Sequence, residues 1–334
     1  MTDRLKSSYN FDIVESVYTI VVPDTELLTR LCGTNDTNLR LIEQFLGVPV
    51  FTCGNELSVG DSDPETQDRF KHIIDRILDE VQNGGEAEPD FVGSVISDML
   101  HSDEDDEAVF SAATIRIPGG VRSVYPKTRN QAAFIQAMRT NDVVICTGPA
   151  GSGKTFLAVA EALRVLMAQG CSKIVLTRPV VEAGESLGFL PGDLEQKISP
   201  YLRPLYDAME YLLPRGMTER LSESGIIEAA PLAYMRGRTL DNCILILDEA
   251  QNTTKEQMKL FLTRMGNGSK VFVTGDVTQI DLPKRIPSGL VHATSVLKGI
   301  DGIKLMQMDG RDIVRNPLVQ RIVQAYEYDE EKQE

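Results

Sequence analysis

The sequence is poor in the residues that build metal clusters and disulfide frameworks. Among 334 residues there are three histidines, which lie far apart, and five cysteines, which form no C-x-x-C pair. An odd number of scattered cysteines argues against paired disulfides, and the separated histidines exclude a zinc cluster of the usual spacing. We therefore expect reduced cysteines that lie in or near the core.

Long apolar runs are also lacking. No stretch is long enough to span a bilayer, and the first residues, MTDRLKSSYNF, combine neither a basic nor an apolar segment of the kind that directs secretion. The sequence thus predicts a cytoplasmic protein with no membrane partner. Its 42% hydrophobic and 25% charged residues are those of an ordinary folded protein of two or three domains.

Positive charge is scarce in the first third of the chain. Residues 1–110 carry 24 of the 49 acidic residues but only 7 of the 34 basic residues, so the whole formal charge of −15 originates there. The remaining two thirds are close to neutral. A neutral domain can still carry a basic groove, so the charge balance does not exclude a nucleic-acid partner for that part.

The patterning of residues 1–83 predicts a small α+β domain. Hydrophobic periodicity and turn signals give the order β-α-α-β-β-α. The segments are 16–22, 24–31, 39–46, 48–52, 56–59 and 64–81. This order resembles a KH-type nucleic-acid-binding module, but the loop that would carry G-x-x-G has a single glycine, Gly33, and an acidic Asp36. The domain is therefore a degenerate KH-like lobe that either binds RNA or only docks and assembles.

Residues 84–120 are rich in Gly, Glu and Asp and include an unbroken acidic run at 103–107. Such a composition predicts an acidic linker, with a short apolar stretch at 91–100 that could form a helix. A short acidic tail, residues 329–334, ends the chain.

Strand and helix patterns alternate through residues 121–328. The predicted strands are rich in Val, Ile and Leu, which indicates a parallel sheet buried on both faces. They are residues 143–146, 173–177, 226–229, 243–247, 270–274 and 303–306. We predict one α/β domain of the RecA-like P-loop NTPase type.

A glycine loop follows the first of these strands. It reads GPAGSGKT and matches G-x-x-x-x-G-K-[ST] between a strand and a helix. Its backbone N–H groups would surround the phosphates of ATP, Lys154 would reach the β- and γ-phosphates, and Thr155 would hold Mg²⁺. The predicted nucleotide-binding residues are Gly148, Pro149, Ala150, Gly151, Ser152, Gly153, Lys154 and Thr155.

Two later strand ends complete a P-loop ATPase site. Asp248 and Glu249 follow the strand 243–247, where Asp248 would help to bind Mg²⁺ and Glu249 would polarise the attacking water. Gln279, in the G-D-x-x-Q run after the next strand, would sense the γ-phosphate. This pair of motifs looks like that of superfamily 1 helicases and is foreign to small-molecule P-loop kinases.

Four further residues are candidates for base or backbone contacts. Gln131, ahead of the first helix of the domain, would hydrogen-bond adenine with its amide. Arg178 precedes Pro179, which keeps it out of the helical region and at the ligand edge of the sheet. Arg178, Arg236 and Arg238 are either contacts to single-stranded nucleic acid or surface charges paired with nearby acids.

Arg311 and Arg315 are candidates for an arginine finger. Only 55 residues follow Gln279, too few for the second RecA-like lobe that supplies this arginine in two-lobed helicases. A late element of this domain or a neighbouring subunit would have to present it, and a ring of identical subunits would do so in trans.

Together, residues 125–327 resemble the PhoH family of phosphate-starvation-inducible-type ATPases. The resemblance rests on GPAGSGKT at 148–155, the segment TRPVVEAGESLGFLPGDLEQKISPYLRPLYD at 177–207, LDEAQN at 247–252, TGDVTQID at 274–281, and RDIVRNPLVQRIVQAYE at 311–327. The N-terminal lobe resembles the branch without a PIN nuclease domain. The resemblance implies a cytoplasmic, ring-forming ATPase, with a hexamer favoured, that acts in RNA metabolism and has a ribosome-maturation endoribonuclease as a partner.

The sequence thus predicts an ATPase that couples Mg²⁺-ATP hydrolysis to the binding or remodelling of single-stranded RNA. Two alternatives stay open. One is an ATP-dependent regulatory switch that recruits an endoribonuclease without touching RNA, and the other is a small-molecule phosphotransferase.

Overall fold

The computed structural model describes residues 18–60, 63–82, 87–101, 105–179, 194–283 and 285–314. The chain divides into two compact units, residues 1–102 and 103–334. Within the described ranges, no helix combines the length and the apolar character needed to cross a membrane.

The first unit combines a three-stranded antiparallel sheet with four helices in its described part. The strands are β1 (Tyr18–Val21), β2 (Val50–Cys53) and β3 (Glu56–Val59), with β3 in the middle. The helices are α1 (Thr25–Cys32), α2 (Thr37–Leu46), α3 (Pro64–Gln82) and α4 (Pro89–His101). Up to α3 the predicted order of elements is confirmed; the likeness to a KH module rests on that order and stays a prediction.

The loop between α1 and α2 is fixed by a buried side chain. Asn38, fully buried on α2, donates through Nδ2 to the carbonyl oxygens of Leu31 (2.9 Å) and Ala87 (2.6 Å). Gly33 lies so close to it that a Cβ would sit 2.8 Å from Asn38 Nδ2, and its φ of +73° favours glycine. This glycine is therefore explained by packing, without a bound phosphate.

Residues 84–120, predicted as an acidic linker, include the boundary between the two units but contain regular secondary structure in their described part. The stretch contains α4, α5 (Asp105–Ala113) and a small antiparallel pair, β4 (Ile115–Arg116) with β5 (Ser123–Val124). The helix expected within 91–100 is confirmed as α4, which buries Phe91, Val92 and Val95. Average composition misled the prediction because the acidic positions lie beside apolar positions with helical spacing.

The second unit is built on a six-stranded parallel sheet. Its strands are β6 (Val143–Thr147), β7 (Lys173–Thr177), β8 (Ile227–Ala229), β9 (Cys243–Leu247), β10 (Lys270–Gly275) and β11 (Ile303–Gln307). The helices are α5, α6 (Arg129–Thr140), α7 (Lys154–Met167), α8 (Leu194–Leu212), α9 (Met217–Glu223), α10 (Lys255–Leu262) and α11 (Gly289–Val296). The predicted α/β fold with a parallel sheet is confirmed.

Alternate residues of the central strands are buried on opposite faces. In β9, Ile244 and Ile246 join one apolar cluster, whereas Leu245 and Leu247 join the other. Both faces of the sheet are therefore covered, as the near-continuous apolar strands predict.

Strand order brings distant parts of the chain to one edge. The order is β11-β6-β10-β9-β7-β8, so β10 and β9 lie between β6 and the strand that follows it in sequence. All these strands run parallel, and their carboxyl ends meet at one edge, which we call the carboxyl edge. The segments after β6, β10, β9 and β7 are therefore neighbours there.

Candidate nucleotide site

The phosphate loop, residues 148–155, lies at the carboxyl edge between β6 and α7. Gly148 donates its N–H to the carbonyl of Gly275 at 3.2 Å, and a Cβ on Gly148 would lie 2.7 Å from the Cβ of Met308. Gly151 and Gly153 have φ of +83° and +82°, which glycine adopts without strain. The glycine spacing thus reflects one close approach and two left-handed residues.

The Lys154 ammonium group folds back onto the loop. Its Nζ donates to the carbonyl oxygens of Gly148 and Pro149, each at 2.8 Å, and to Ser152 Oγ at 3.2 Å. Burial lowers the pKa of Lys154, while the carboxylates of Asp276 and its neighbours oppose that effect. The three oxygens that accept from Nζ are uncharged, so phosphate oxygens can replace them as its partners.

Thr155 and Asp248 form the candidate magnesium position. Thr155 Oγ1 donates to Asp248 Oδ1 at 2.7 Å, and Thr274 Oγ1 donates to the same oxygen at 2.8 Å. A hydroxyl and a carboxylate in contact supply the hard oxygen ligands that Mg²⁺ prefers. The residues present therefore fit a magnesium ion bound together with a nucleotide.

Glu249 stands at the same edge with both carboxylate oxygens engaged. Oε2 accepts from Gln251 Nε2 at 2.5 Å, and Oε1 lies 3.2 Å from an Arg178 guanidinium nitrogen. Gln251 also donates to the carbonyl of Gln279 at 3.2 Å and accepts from the N–H of Asp276 at 3.0 Å. One buried amide thus connects the segments after β9 and β10.

Sequence reasoning missed Gln251 and Asp276. Asp276 Oδ2 accepts from the N–H of Ala150 at 3.0 Å and so fixes the phosphate loop from β10. Both residues stand inside motifs used for their neighbours, D-E-A-Q and G-D-x-x-Q. The sequence signal that could have identified them is their position in the same motifs as Glu249 and Gln279.

These residues surround a cavity of about 260 Å³. It is lined by Ala150, Gly151, Gly153, Lys154, Thr155, Phe156, Asp248, Glu249, Gly275, Asp276 and Gln279. The structure thereby brings together the predicted phosphate loop, both predicted carboxylates and the predicted sensor. Its lining of backbone N–H groups, one ammonium group and three carboxylates suits a phosphate chain with a divalent ion.

Gln131 lies against the phosphate loop with its amide already engaged. It is 4% exposed, Nε2 donates to the carbonyl of Ser152 at 3.1 Å, and Oε1 accepts from the N–H of Lys127 at 2.7 Å. An adenine contact would require these bonds to be exchanged, so adenine recognition by Gln131 stays a prediction.

The two nucleic-acid candidates Arg178 and Arg238 are engaged in ion pairs. Arg178 contacts Glu249 and lies 3.8 Å from Asp248 Oδ2, two carboxylates that line the cavity. Arg238 holds Glu228 with two contacts of 2.5 and 3.0 Å.

Arg238 also lies at the wrong edge of the sheet. Glu228 is shared with Lys173, the first residue of β7, which belongs to the amino edge opposite the phosphate loop. Arg238 therefore does not share the ligand edge with Arg178, because the chain returns along the sheet before β9, and it is a charge paired with a nearby acid. Arg236 is exposed.

Of the two arginine-finger candidates, Arg311 lies within the described residues, and it is not among those that line the cavity. Arg311 is bound to Asp309, with an Nη2–Oδ2 distance of 2.6 Å and a side chain that is 88% exposed. Arg315, the helix predicted after it and the acidic tail lie outside the described residues. Asp312 is buried and accepts from Thr128 Oγ1 (2.5 Å) and Asn130 Nδ2 (2.9 Å), which ties this late segment to the start of α6.

Comparison with known proteins identifies the family. The model of the family described as PhoH-like protein matches residues 123–327. A PhoH-like protein from Bacillus subtilis is 48% identical over 310 residues, which cover 91% of this chain and 95% of that protein. A PhoH-like protein from Synechocystis is 42% identical over 318 residues, which cover 95% of this chain and 96% of that protein.

Solved structures match more distantly. A Pif1 helicase from Candida albicans aligns with a TM-score of 0.30 and 13% identity, covering 55% of this chain and 40% of that one. That likeness is too low to bear on function. The family match covers more than half of the chain, and the relatives cover nearly all of it, so the chain belongs to the PhoH-like protein family.

Proposed function

We propose that the protein is a Mg²⁺-dependent ATPase that couples hydrolysis to an action on single-stranded RNA. The observation that carries the ATPase part is the contact of Thr155 with Asp248, beside Lys154, in a cavity bordered by the phosphate loop. This arrangement offers anion-binding amides, a cation for the phosphates and hard oxygen ligands within one site.

The residues take distinct roles in the proposed reaction. Lys154 exchanges its carbonyl contacts for phosphate oxygens and neutralises their charge. Thr155 and Asp248 hold Mg²⁺, which supplies charge neutralisation when bound. Glu249 orients the water that attacks the terminal phosphorus; the bond from that phosphorus to the ADP oxygen breaks, yielding ADP and phosphate.

Gln279 is proposed to sense the terminal phosphate. Its backbone carbonyl accepts from Gln251, which also contacts Glu249 and Asp276. A movement of Gln279 at the phosphate would therefore shift the Gln251 side chain, which contacts the segments after β9 and β10. The G-D-x-x-Q run after a D-E-A-Q strand supports a helicase-like coupling to nucleic acid, and RNA is the form we propose.

The proposal includes an assembly and a partner. We propose a cytoplasmic ring of identical subunits, a hexamer by resemblance to the family, and an endoribonuclease of ribosome maturation as a protein partner. The exposed Arg236 and Arg311 are available for contacts between molecules.

A second candidate function is an ATP-dependent switch that recruits a protein and does not touch RNA. It is favoured by one observation: Arg178 and Arg238, two of the candidates for nucleic-acid contacts, are both engaged with carboxylates. In this case ATP binding would alter a docking surface, and hydrolysis would reset it.

One assay separates the two. ATP turnover is measured with and without single-stranded RNA, and RNA binding is measured at low and raised salt, since phosphate contacts weaken as ionic strength rises. The RNA-coupled ATPase predicts stimulated turnover and salt-sensitive binding. Turnover that ignores RNA, with no binding at low salt, supports the switch.

Two variants test whether the protein binds ATP at the proposed site. Lys154→Ala is expected to abolish measurable ATP binding in calorimetry with Mg²⁺, because it removes the cation that faces the phosphates. Lys298→Ala, at an exposed position, is the matched control and should bind as the wild type does. Absence of ATP binding by the wild-type protein would refute the proposed function altogether.

A further inference from the structure

Arg178, a candidate nucleic-acid contact in the sequence, lies beside the two predicted catalytic carboxylates. It follows β7 directly, and its side chain is 23% exposed. One guanidinium nitrogen lies 3.2 Å from Glu249 Oε1, and the other lies 3.8 Å from Asp248 Oδ2 and donates to the carbonyl of Tyr201 at 3.2 Å. The guanidinium group thus shares the site with both predicted catalytic carboxylates.

This contact restrains the residue that must orient water. With Arg178 on one oxygen and Gln251 on the other, the Glu249 carboxylate has a partner on each side. Glu249 itself adopts a left-handed φ of +51°, which is uncommon for a residue with a side chain. In this arrangement the carboxylate is held by the protein, and a water-orienting role requires that one partner leave.

The negative charge of the substrate indicates that Arg178, and not Gln251, is the partner that leaves the Glu249 carboxylate. Without a nucleotide, three carboxylates (Asp248, Glu249 and Asp276) line the cavity, and the nearby cations are Lys154 and Arg178. The complex of ATP with Mg²⁺ is doubly negative, so its arrival creates a demand for cations near the terminal phosphate. Gln251 is neutral and buried, whereas Arg178 is charged, partly exposed and able to form two parallel bonds with a phosphate.

Of the two arginines predicted as a finger, Arg311 is paired with Asp309 and largely exposed, and Arg315 lies outside the described residues. Arg238, a candidate nucleic-acid contact, is paired with Glu228 at the amino edge. Arg178, in contrast, touches Glu249, which lines the cavity.

We propose that Arg178 exchanges partners during the cycle, from Glu249 in the nucleotide-free site to the terminal phosphate of ATP, and so acts as an arginine finger in cis. The exchange both neutralises the phosphate and frees Glu249 for the water. This inference rests on the proposed function, and it assigns the arginine to the subunit that binds the nucleotide.

The test compares ATP with ADP, because only ATP carries the phosphate that Arg178 is to contact. Calorimetry with Mg²⁺ measures both dissociation constants for wild type, Arg178→Ala and Arg178→Lys. Arg178→Ala is expected to weaken ATP binding at least tenfold and to leave ADP binding within twofold. Turnover should fall about a thousandfold or more, in the range seen for loss of an arginine finger.

Lysine should restore part of the ATP affinity but little turnover, since it brings the charge without the planar pair of donors. Arg203→Ala is the control, because Arg203 pairs with Asp207 on the exposed surface of α8. It is expected to leave both dissociation constants and turnover unchanged.

Other outcomes overturn the inference. Equal weakening of ATP and ADP in Arg178→Ala would assign the residue a structural role, and unchanged ATP binding would remove the phosphate contact. Mixing Arg178→Ala with Lys154→Ala protein should not restore turnover; restoration would show action in trans. Failure of the proposed function is distinct, since wild type would then bind neither nucleotide.

Discussion

At the scale of single residues, the phosphate loop depends on one glycine that has no room for a side chain. Gly148 packs against Met308, where a Cβ would meet both the Met308 Cβ at 2.7 Å and its carbonyl oxygen at 2.8 Å. Since Met308 follows β11, the loop is shaped by a strand about 160 residues away. The glycine is therefore a requirement of packing as well as of phosphate binding.

Gly148→Ala is expected to destabilise the protein by about 1–3 kcal/mol, because backbone and side chain must both move to admit the methyl group. Thermal or urea unfolding of the nucleotide-free protein measures this loss. Gly310→Ala is the control, since no heavy atom lies within 4 Å of its added Cβ. Equal stability of the two variants would contradict the packing argument.

Gln251 offers a second prediction at this scale. Gln251→Ala removes the amide that joins Glu249, Asp276 and Gln279, and is expected to lower kcat at least tenfold while ATP affinity stays within threefold. Gln257→Ala, which disrupts only the capping box of α10, should leave both values near those of wild type. A loss confined to affinity would contradict the assignment of Gln251 as a positioning residue.

The nucleotide-site residues were predictable because their signals are local. A strand, glycines at fixed spacing and a Lys-Thr pair are read within one short segment, and the acids after β9 are read the same way. The role of Arg178 was not predictable, since its contact with Glu249 joins segments about 70 residues apart. The Arg-Pro pair after β7 predicts that Arg178 lies at the carboxyl edge, but it does not predict which carboxylate the side chain contacts.

At the scale of elements, the segment interpreted as a linker folds. Helix α4 buries Phe91, Val92 and Val95, and the carbonyl of Ala87 just before it accepts from Asn38 on α2. Acidic residues raise the average charge of this stretch without occupying its buried positions. In this stretch, the apolar residues at 91–100 predicted the helix correctly, whereas the average composition did not.

Phe91→Ala is expected to cost about 3–5 kcal/mol of stability in the first unit, as is usual for a large buried aromatic side chain. Hydrogen exchange of the full chain measures the loss as faster exchange within α2 and α4. Val109→Ala, at a position 42% exposed on α5, is the control and should have little effect. Indistinguishable variants would restore the linker interpretation.

The amino edge of the sheet is held by a second charge cluster. Arg238 and Lys173 bind Glu228, and the hydrogen bonds from Arg238 are the largest cause that lowers the pKa of this carboxyl group from 4.5 to about 2. The cluster connects β7 and β8 with the segment that leads to β9. Of the two predicted alternatives for Arg238, the cluster therefore favours a charge paired with a nearby acid over a nucleic-acid contact.

This cluster predicts a pH dependence with a defined sign. Because the folded pKa of Glu228 lies below its unfolded value, its stabilisation is complete above pH 4.5 and is lost as the pH falls towards 2. Glu228→Gln should therefore show a shallower acid loss of stability across that window in urea unfolding. Glu223→Gln, at an exposed site, should follow wild type; a wild-type profile for Glu228→Gln would contradict the assignment.

At the scale of the whole molecule, the charge asymmetry bears on where RNA could bind. Residues 1–110 hold 24 acidic residues against 7 basic ones, and the loop between α1 and α2 carries Asp36 where a phosphate would have to approach. We therefore expect RNA binding, if the proposed coupling holds, to reside in residues 103–334.

Asp36→Asn tests this expectation without changing backbone preference, since Asn accepts the left-handed φ of +57° found there. RNA affinity at low salt should change less than twofold. Lys255→Gln, on the second unit near the start of α10, is a comparison variant in which charge is removed from the neutral part. A rise of fivefold or more in the affinity of Asp36→Asn would place RNA at the first unit instead.

The sequence by itself determined the phosphate loop, the acids after β9 and the parallel sheet, because hydrophobic period, glycine spacing and strand ends are properties of short segments. Only the tertiary structure decided which arginine serves the site. Strands β10 and β9 enter the sheet between β6 and β7, so the segment after β7 meets Glu249 while Arg238 is carried to the opposite edge. That choice depends on strand order, which no local pattern encodes.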